Sequence, residues 1–193
     1  MTVVSALVAL VAATTPASES IFDGKTLDGW QVKGDGKWTV ENGAIVGRLN
    51  ADQGYGMLVY PVVVKDFTLR LKFKVDDGNS GLYFRAERTD AGHVFNGFQA
   101  EVDKTMATGG IYESGGRGWV SQVKPEESAY KPGEWADMTI KARGDYYAIF
   151  VNGSLVTSII DPDSRKSGEI GLQLHGGQKM HVSFKEMTLK KYN

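Results

Sequence analysis

The chain has 193 residues, a formal net charge of -1, 24 glycines and no cysteine. That length supports one domain with a sizeable core rather than two, and the balanced charge argues against a nucleic-acid footprint or an acidic solvating tail. Without cysteine, neither disulfides nor thiolate zinc sites are available, and the glycine content suits a turn-rich β protein.

Residues 1–20 stand apart. Val3 to Ala13 is an apolar run of signal-peptide length, too short to span a bilayer as a helix, and the mostly small residues Thr14 to Ser20 follow it. No Lys or Arg precedes the run. The expectation is an exported protein, periplasmic or secreted, with one folded domain over residues 21–193 and no membrane span.

From Ile21 onward the chain reads as strands joined by turns. Trp38-Thr39-Val40 and Ala44-Ile45-Val46 flank Asn42-Gly43, the strongest short-range hairpin signal. A short strand around Met57 to Val64 follows. Phe67, Leu69, Leu71, Phe73 and Val75 then alternate with Thr68, Arg70, Lys72 and Lys74, the pattern of a half-buried antiparallel strand with a solvated basic face.

The stretch Gly78 to Asp103, GNSGLYFRAERTDAGHVFNGFQAEVD, holds two strands with chemistry on one face. Alternation puts Leu82, Phe84 and Ala86 against Tyr83, Arg85 and Glu87, and Phe98, Ala100 and Val102 against Gln99, Glu101 and Asp103. Thr108 to Val120 is too glycine-rich for an ordinary strand and reads as a loop with short strand pieces bordering the site. Met138 to Ala142 and Tyr147 to Val151 form a strand pair through Gly144-Asp145, and Asn152-Gly153 turns the chain into Ser154 to Ile160. In Glu169 to His175, Ile170, Leu172 and Leu174 alternate with Gly171, Gln173 and His175. In Lys179 to Lys190, Met187 and Leu189 fall out of phase with Met180, Val182 and Phe184, which predicts a bulge near Lys185-Glu186.

No segment has sustained helical periodicity. Ten or more strands in about 170 residues predict an all-β, two-sheet antiparallel jelly-roll sandwich of the concanavalin or LamG kind. If the polar faces are neighbours, Tyr83, Arg85, Gln99, Glu101, Asp103, Gln173 and His175 converge on one surface. Such a set is the inventory of a sugar-binding or acid/base site. Each residue alone has a plainer reading: Arg85 pairing with Glu87 or Glu101, or His175 bonded to backbone beside Gly176. His93 and His181 are assigned no role. Glu101-Val102-Asp103 also opens like the catalytic strand of jelly-roll β-glucanases, but Lys104, Thr105 and Met106 follow where a further carboxylate would stand.

IFDGKTLDGW, GNSGLYFR, GFQAEVD, GGIYESGGRGW, the GEW at Gly133, the VNG at Val151 and GLQLHGG occur in the order seen in the DUF1080 family, the 3-keto-disaccharide hydrolase or 3-keto-glucoside lyase/hydratase domain. The chain resembles that family over everything after residue 20. The resemblance implies an exported bacterial jelly roll acting on glycosides already oxidised at C3. A C3 ketone acidifies the C2 proton, and the glycosidic oxygen is then β to the carbanion, so elimination needs a base, an enolate stabiliser and an acid.

On this reading Glu101 is the base, Arg85 the enolate stabiliser or substrate clamp, and His175 or Asp103 the second proton-transfer group. Tyr83, Gln99, Tyr112 and Gln173 orient sugar hydroxyls. A divalent cation on Glu101 and Asp103 is the alternative electrophile. Asp103 to Gly110 is shorter and less aromatic than its counterpart in many relatives. The competing expectation is a non-catalytic, lectin-like carbohydrate-binding module with Trp119 and Tyr112 as platforms.

Overall fold

A computed structural model describes residues 17–90, 94–104, 107–124, 126 and 128–192. The apolar run Val3 to Ala13 lies outside the described residues, as do His93, Thr105 and Met106. Among the described residues the strands are β1 (Glu19–Ser20), β2 (Gln31–Gly34), β3 (Lys37–Glu41), β4 (Ala44–Leu49), β5 (Gly56–Val64), β6 (Asp66–Asp77), β7 (Asn79–Arg88), β8 (Phe95–Asp103), β9 (Ile111–Ser114), β10 (Gly118–Ser121), β11 (Ala136–Arg143), β12 (Tyr146–Val151), β13 (Ser154–Ile160), β14 (Gly168–Leu174) and β15 (Met180–Tyr192). They form two antiparallel sheets: β13-β12-β11-β6-β15-β4-β3, with β1 against β15, and β10-β9-β8-β7-β14-β5-β2. Neighbours such as β6 and β15, or β7 and β14, are distant in sequence. This is the crossing-over of a two-sheet jelly roll.

The sandwich forms because the apolar sets of facing strands can be buried only against each other. Phe67, Leu69, Leu71, Phe73 and Val75 of β6 meet Leu82 and Phe84 of β7 and Phe98, Ala100 and Val102 of β8 in one core. Each large side chain so buried contributes about 1.5–3 kcal/mol. The hairpin turns fall where Asn-Gly pairs accept positive φ: Asn42-Gly43 at 51° and 77°, and Asn152-Gly153 at 48° and 81°. Thr108 to Val120 folds largely as the β9–β10 hairpin, and β15 slips register between Lys185 and Thr188, with Glu186 at φ 53°.

One irregularity on β7 decides the site. Phe84 pairs with Phe98 but Glu87 pairs with Asn96, so β7 carries one extra residue there, and Arg85 sits at φ 47°. The other neighbour agrees: Gly171 pairs with Tyr83 and Glu169 with Ala86. This bulge reverses the alternation after Phe84. Arg85 turns inward, while Ala86 joins Met57, Val59, Tyr83 and Phe95 in a second, smaller apolar cluster on the outer side of the sheet.

Glycine on the neighbouring strand makes room for the bulge, since a Cβ on Gly168 would run into the backbone of Arg85 and Ala86. Gly168→Ala is expected to lower stability by about 1–3 kcal/mol, read from the urea midpoint.

Candidate active site

Strand register carries outward-facing side chains into parallel rows across the seven-stranded sheet. In the first row Gly171 lies opposite Tyr83, Tyr83 opposite Gln99, Gln99 opposite Tyr112, and Tyr112 opposite Trp119. Two residues along, Gly81 lies opposite Glu101, and Gln173 is brought beside Gly81 because Leu172 pairs with Leu82. Asn79 then faces Asp103. Of these rows, Asn79, Tyr83, Gln99, Glu101, Tyr112, Trp119 and Gln173, with Tyr55, Ser114 and His175 at their ends, line a cleft of about 410 Å³. That volume suits a small ligand.

Glu101 lies at the floor and is only 3% exposed. Its two oxygens each accept an amide N–H, one from Asn79 and one from Gln99, the latter at 2.7 Å. Gly81 permits the second bond, because a Cβ there would collide with the Gln99 side chain where it crosses β7. Burial penalises the carboxylate, the two amides favour it, and the charge of nearby Asp103 opposes it. The net result pushes Glu101 up to about 7. A carboxylate in that range can take a proton near neutral pH and give it back.

Beside it, the Gln173 amide nitrogen donates to the Tyr83 hydroxyl at 3.1 Å. Burial raises the Tyr83 pKa, so the phenol stays protonated. Gln173 itself is 2% exposed, and its Oε1 accepts no hydrogen bond among the described residues. An unpaired buried acceptor in a polar cleft is costly until a ligand hydroxyl reaches it. The far wall is aromatic. Trp119 and Tyr112 stand edge to face with centroids 5.5 Å apart, and are 41% and 36% exposed.

At the opposite end, the Tyr55 hydroxyl is 2.9 Å from His175 Nε2, and His175 Nδ1 donates to the Gly176 carbonyl at 2.8 Å. His175 is therefore both backbone-bonded and part of the cleft.

Of the residues expected from sequence, Glu101, His175, Tyr83, Gln99, Tyr112, Gln173 and Trp119 line one cleft. Arg85 does not. It is 1% exposed and faces the other sheet, donating to Asp66, the Lys65 and Gly144 carbonyls and the Tyr147 hydroxyl. The assignment of Arg85 as enolate stabiliser or clamp is therefore corrected: the bulge turns its side chain away from the cleft. Asp103 shares the Glu101 face but sits beyond the floor, bonded to Asn79 Nδ2 at 3.2 Å and helping to line a neighbouring depression with Asp77 and Lys104.

Sequence reasoning missed Tyr55, Asn79 and Ser114. The signal was present: Tyr55 continues the set Met57, Val59; Asn79 continues Gly81, Tyr83; Ser114 continues Tyr112.

The Asn79 amide nitrogen, a donor, bridges Glu101 and Asp103, so a divalent cation would have to displace it to take both carboxylates. Among the described residues there is no group of three or more His, Cys, Asp or Glu side chains placed to hold a metal ion.

Fold and site together define a jelly-roll protein with a sugar-sized polar cleft on the outer face of one sheet. Residues 17–190 match the model of the 3-keto-alpha-glucoside-1,2-lyase-like domain, and the chain belongs to that family. It is 37% identical over 78 residues to a 3-keto-disaccharide hydrolase of Bacteroides thetaiotaomicron, a match covering 35% of this chain and 27% of that protein. The matched segment thus spans about a quarter of the relative's length.

Among solved structures, a candidate glycosyl hydrolase of Parabacteroides distasonis superposes with a TM-score of 0.69 at 18% identity, over 91% of this chain and 94% of the other. The carbohydrate-binding module CBM66 of Bacillus subtilis gives 0.65 at 22% identity, over 84% and 96%. A Bacillus subtilis protein with a galectin-like fold gives 0.66 at 13% identity, over 86% and 90%. At these identities the likeness is one of fold.

Proposed function

We propose that this protein cleaves 3-keto-glycosides by removing the C2 proton, expelling the C1 substituent and adding water to the resulting enone, for a net hydrolysis. The observation that supports this best is Glu101. It is a buried carboxylate pushed up to about 7 at the floor of the cleft, with no second carboxylate among the described residues lining it. A two-carboxylate glycosidase needs an acid facing its nucleophile. An elimination needs one base, a donor for the enolate oxygen and a proton for the leaving group.

Glu101 supplies the base. With Arg85 turned away, the Tyr83 hydroxyl, whose oxygen already accepts from Gln173, is the neutral donor placed for the enolate. His175 supplies the acid function. The unpaired Gln173 Oε1 accepts a sugar hydroxyl, and Trp119 and Tyr112 pack against the apolar side of the sugar or its aglycone. The matched family and the B. thetaiotaomicron relative support the substrate class. Export rests on the run Val3 to Ala13, and the N-terminus of the mature protein, read by mass spectrometry, tests it.

The purified protein is expected to release the alcohol from a 3-keto-glucoside and to leave the unoxidised glucoside intact. Because Glu101 must be ionised to act, kcat/KM should fall tenfold per pH unit below an apparent pKa near 7. Binding of the keto sugar without turnover would instead support the lectin-like reading, which the exposed Trp119–Tyr112 corner favours.

A further inference from the structure

Tyr55 was not singled out by the sequence, yet the fold holds it firmly at the cleft. The Gly54 N–H donates to Asp35 Oδ2 at 2.7 Å, the Asp35 N–H donates to the Tyr55 carbonyl at 2.9 Å, and the Gly177 N–H donates to the Gln53 carbonyl at 2.9 Å. Gly176 closes over the same backbone, where a Cβ would approach Tyr55 N at 2.8 Å. The Tyr55 ring packs on the His175 ring with centroids 4.6 Å apart. His175 Nδ1 is committed as donor to a carbonyl, so Nε2 is the nitrogen free to gain or lose a proton, and it faces the Tyr55 hydroxyl.

We infer that Tyr55 is the catalytic residue that hands the proton to the departing glycosidic oxygen, with His175 behind it as the proton reservoir. This rests on the elimination reading. In that step the C2–H proton passes to Glu101, the electron pair forms the C1=C2 bond, and the C1–O bond breaks. The leaving oxygen takes the Tyr55 hydroxyl proton, and Tyr55 is reprotonated from Nε2 of the imidazolium form of His175. Addition of water then runs the parts backward. Water gives a proton through Tyr55 to neutral His175 as its oxygen bonds to C1, and Glu101 returns its proton to C2. Both groups end as they began. Burial and the neighbouring Tyr112 and Glu101 raise the Tyr55 pKa, which keeps it a proton carrier and not a standing phenolate.

The test is leaving-group dependence. Wild type and Tyr55→Phe are compared on the 3-keto-glucosides of methanol and of 4-nitrophenol, whose anion departs without a proton. The expected loss in kcat on the methyl glycoside is roughly 10²-fold or more, and clearly larger than the loss on the nitrophenyl glycoside. His175→Gln should show the same asymmetry, so either variant suffices should the other fold poorly by circular dichroism. Equal losses on both substrates in the folded variants, or no loss on the methyl glycoside, would overturn the role of Tyr55 while leaving elimination standing. Failure of the wild type to cleave either substrate would overturn both readings.

Discussion

Glu101→Gln is expected to reduce kcat on a 3-keto-glycoside by roughly 10²–10⁴-fold, the usual contribution of a positioned base, with little change in sugar affinity. The glutamine fills the same space between Asn79 and Gln99, and with its NH2 toward Gln99 the Gln99 amide turns over to accept from it, so the floor of the cleft keeps its shape. The same substitution has a signature in stability. Burial raises the folded-state pKa of Glu101 above its ordinary value, so the folded protein holds this proton more tightly than the unfolded chain.

The stability contribution is therefore full below the unfolded pKa and lost as pH rises through the folded one. Between about pH 4.5 and 8 the wild type should lose on the order of 3 kcal/mol from this group, a slope absent in Glu101→Gln. Urea melts across that range measure it. A variant that keeps both the slope and the activity would sink the assignment of Glu101 as base.

Arg85→Met should do the reverse. A catalytic clamp would lose rate and keep its fold, whereas the observed Arg85 ties two sheets together. It reaches Asp66 at 2.9 Å, the Lys65 carbonyl at 2.6 Å and the Gly144 carbonyl at 2.8 Å from within the sandwich. Removing it takes that donor from both carbonyls and leaves Asp66 Oδ1 with the Gly144 N–H, and the expected cost is about 3–5 kcal/mol of stability. Below the new melting temperature kcat should stay within about threefold of wild type, since loss of a true oxyanion donor costs roughly 10²-fold or more. A stable variant with a collapsed kcat would return Arg85 to the reaction. Calorimetry and initial rates on the same preparation separate the outcomes.

Period-two alternation was enough to find most of the cleft. Along β8 the set Gln99, Glu101 and along β14 the residue Gln173 could be assigned to an outer face from the text alone, because Phe98, Ala100 and Leu172 had to go inward. The same rule misplaced Arg85, because one extra residue after Phe84 shifts the phase and nothing in the run Tyr83-Phe84-Arg85-Ala86 announces it. Gly168 and Gly97, the residues that make room for the bulge, lie on other strands. It stopped short of Tyr55, Asn79 and Ser114: Asn79 opens β7, Ser114 closes β9, and Tyr55 stands one residue before β5.

By itself, then, the sequence determined the fold class, the inward and outward faces of regular strands and the family, since these follow from local periodicity and ordered motifs. Which outward residues meet was decided by strand register across the sheet. So was the proton affinity of Glu101, which depends on amides and burial supplied by segments remote in the chain. Local patterning sets the direction of a side chain, but its partners and its dielectric surroundings exist only once the sheets have closed.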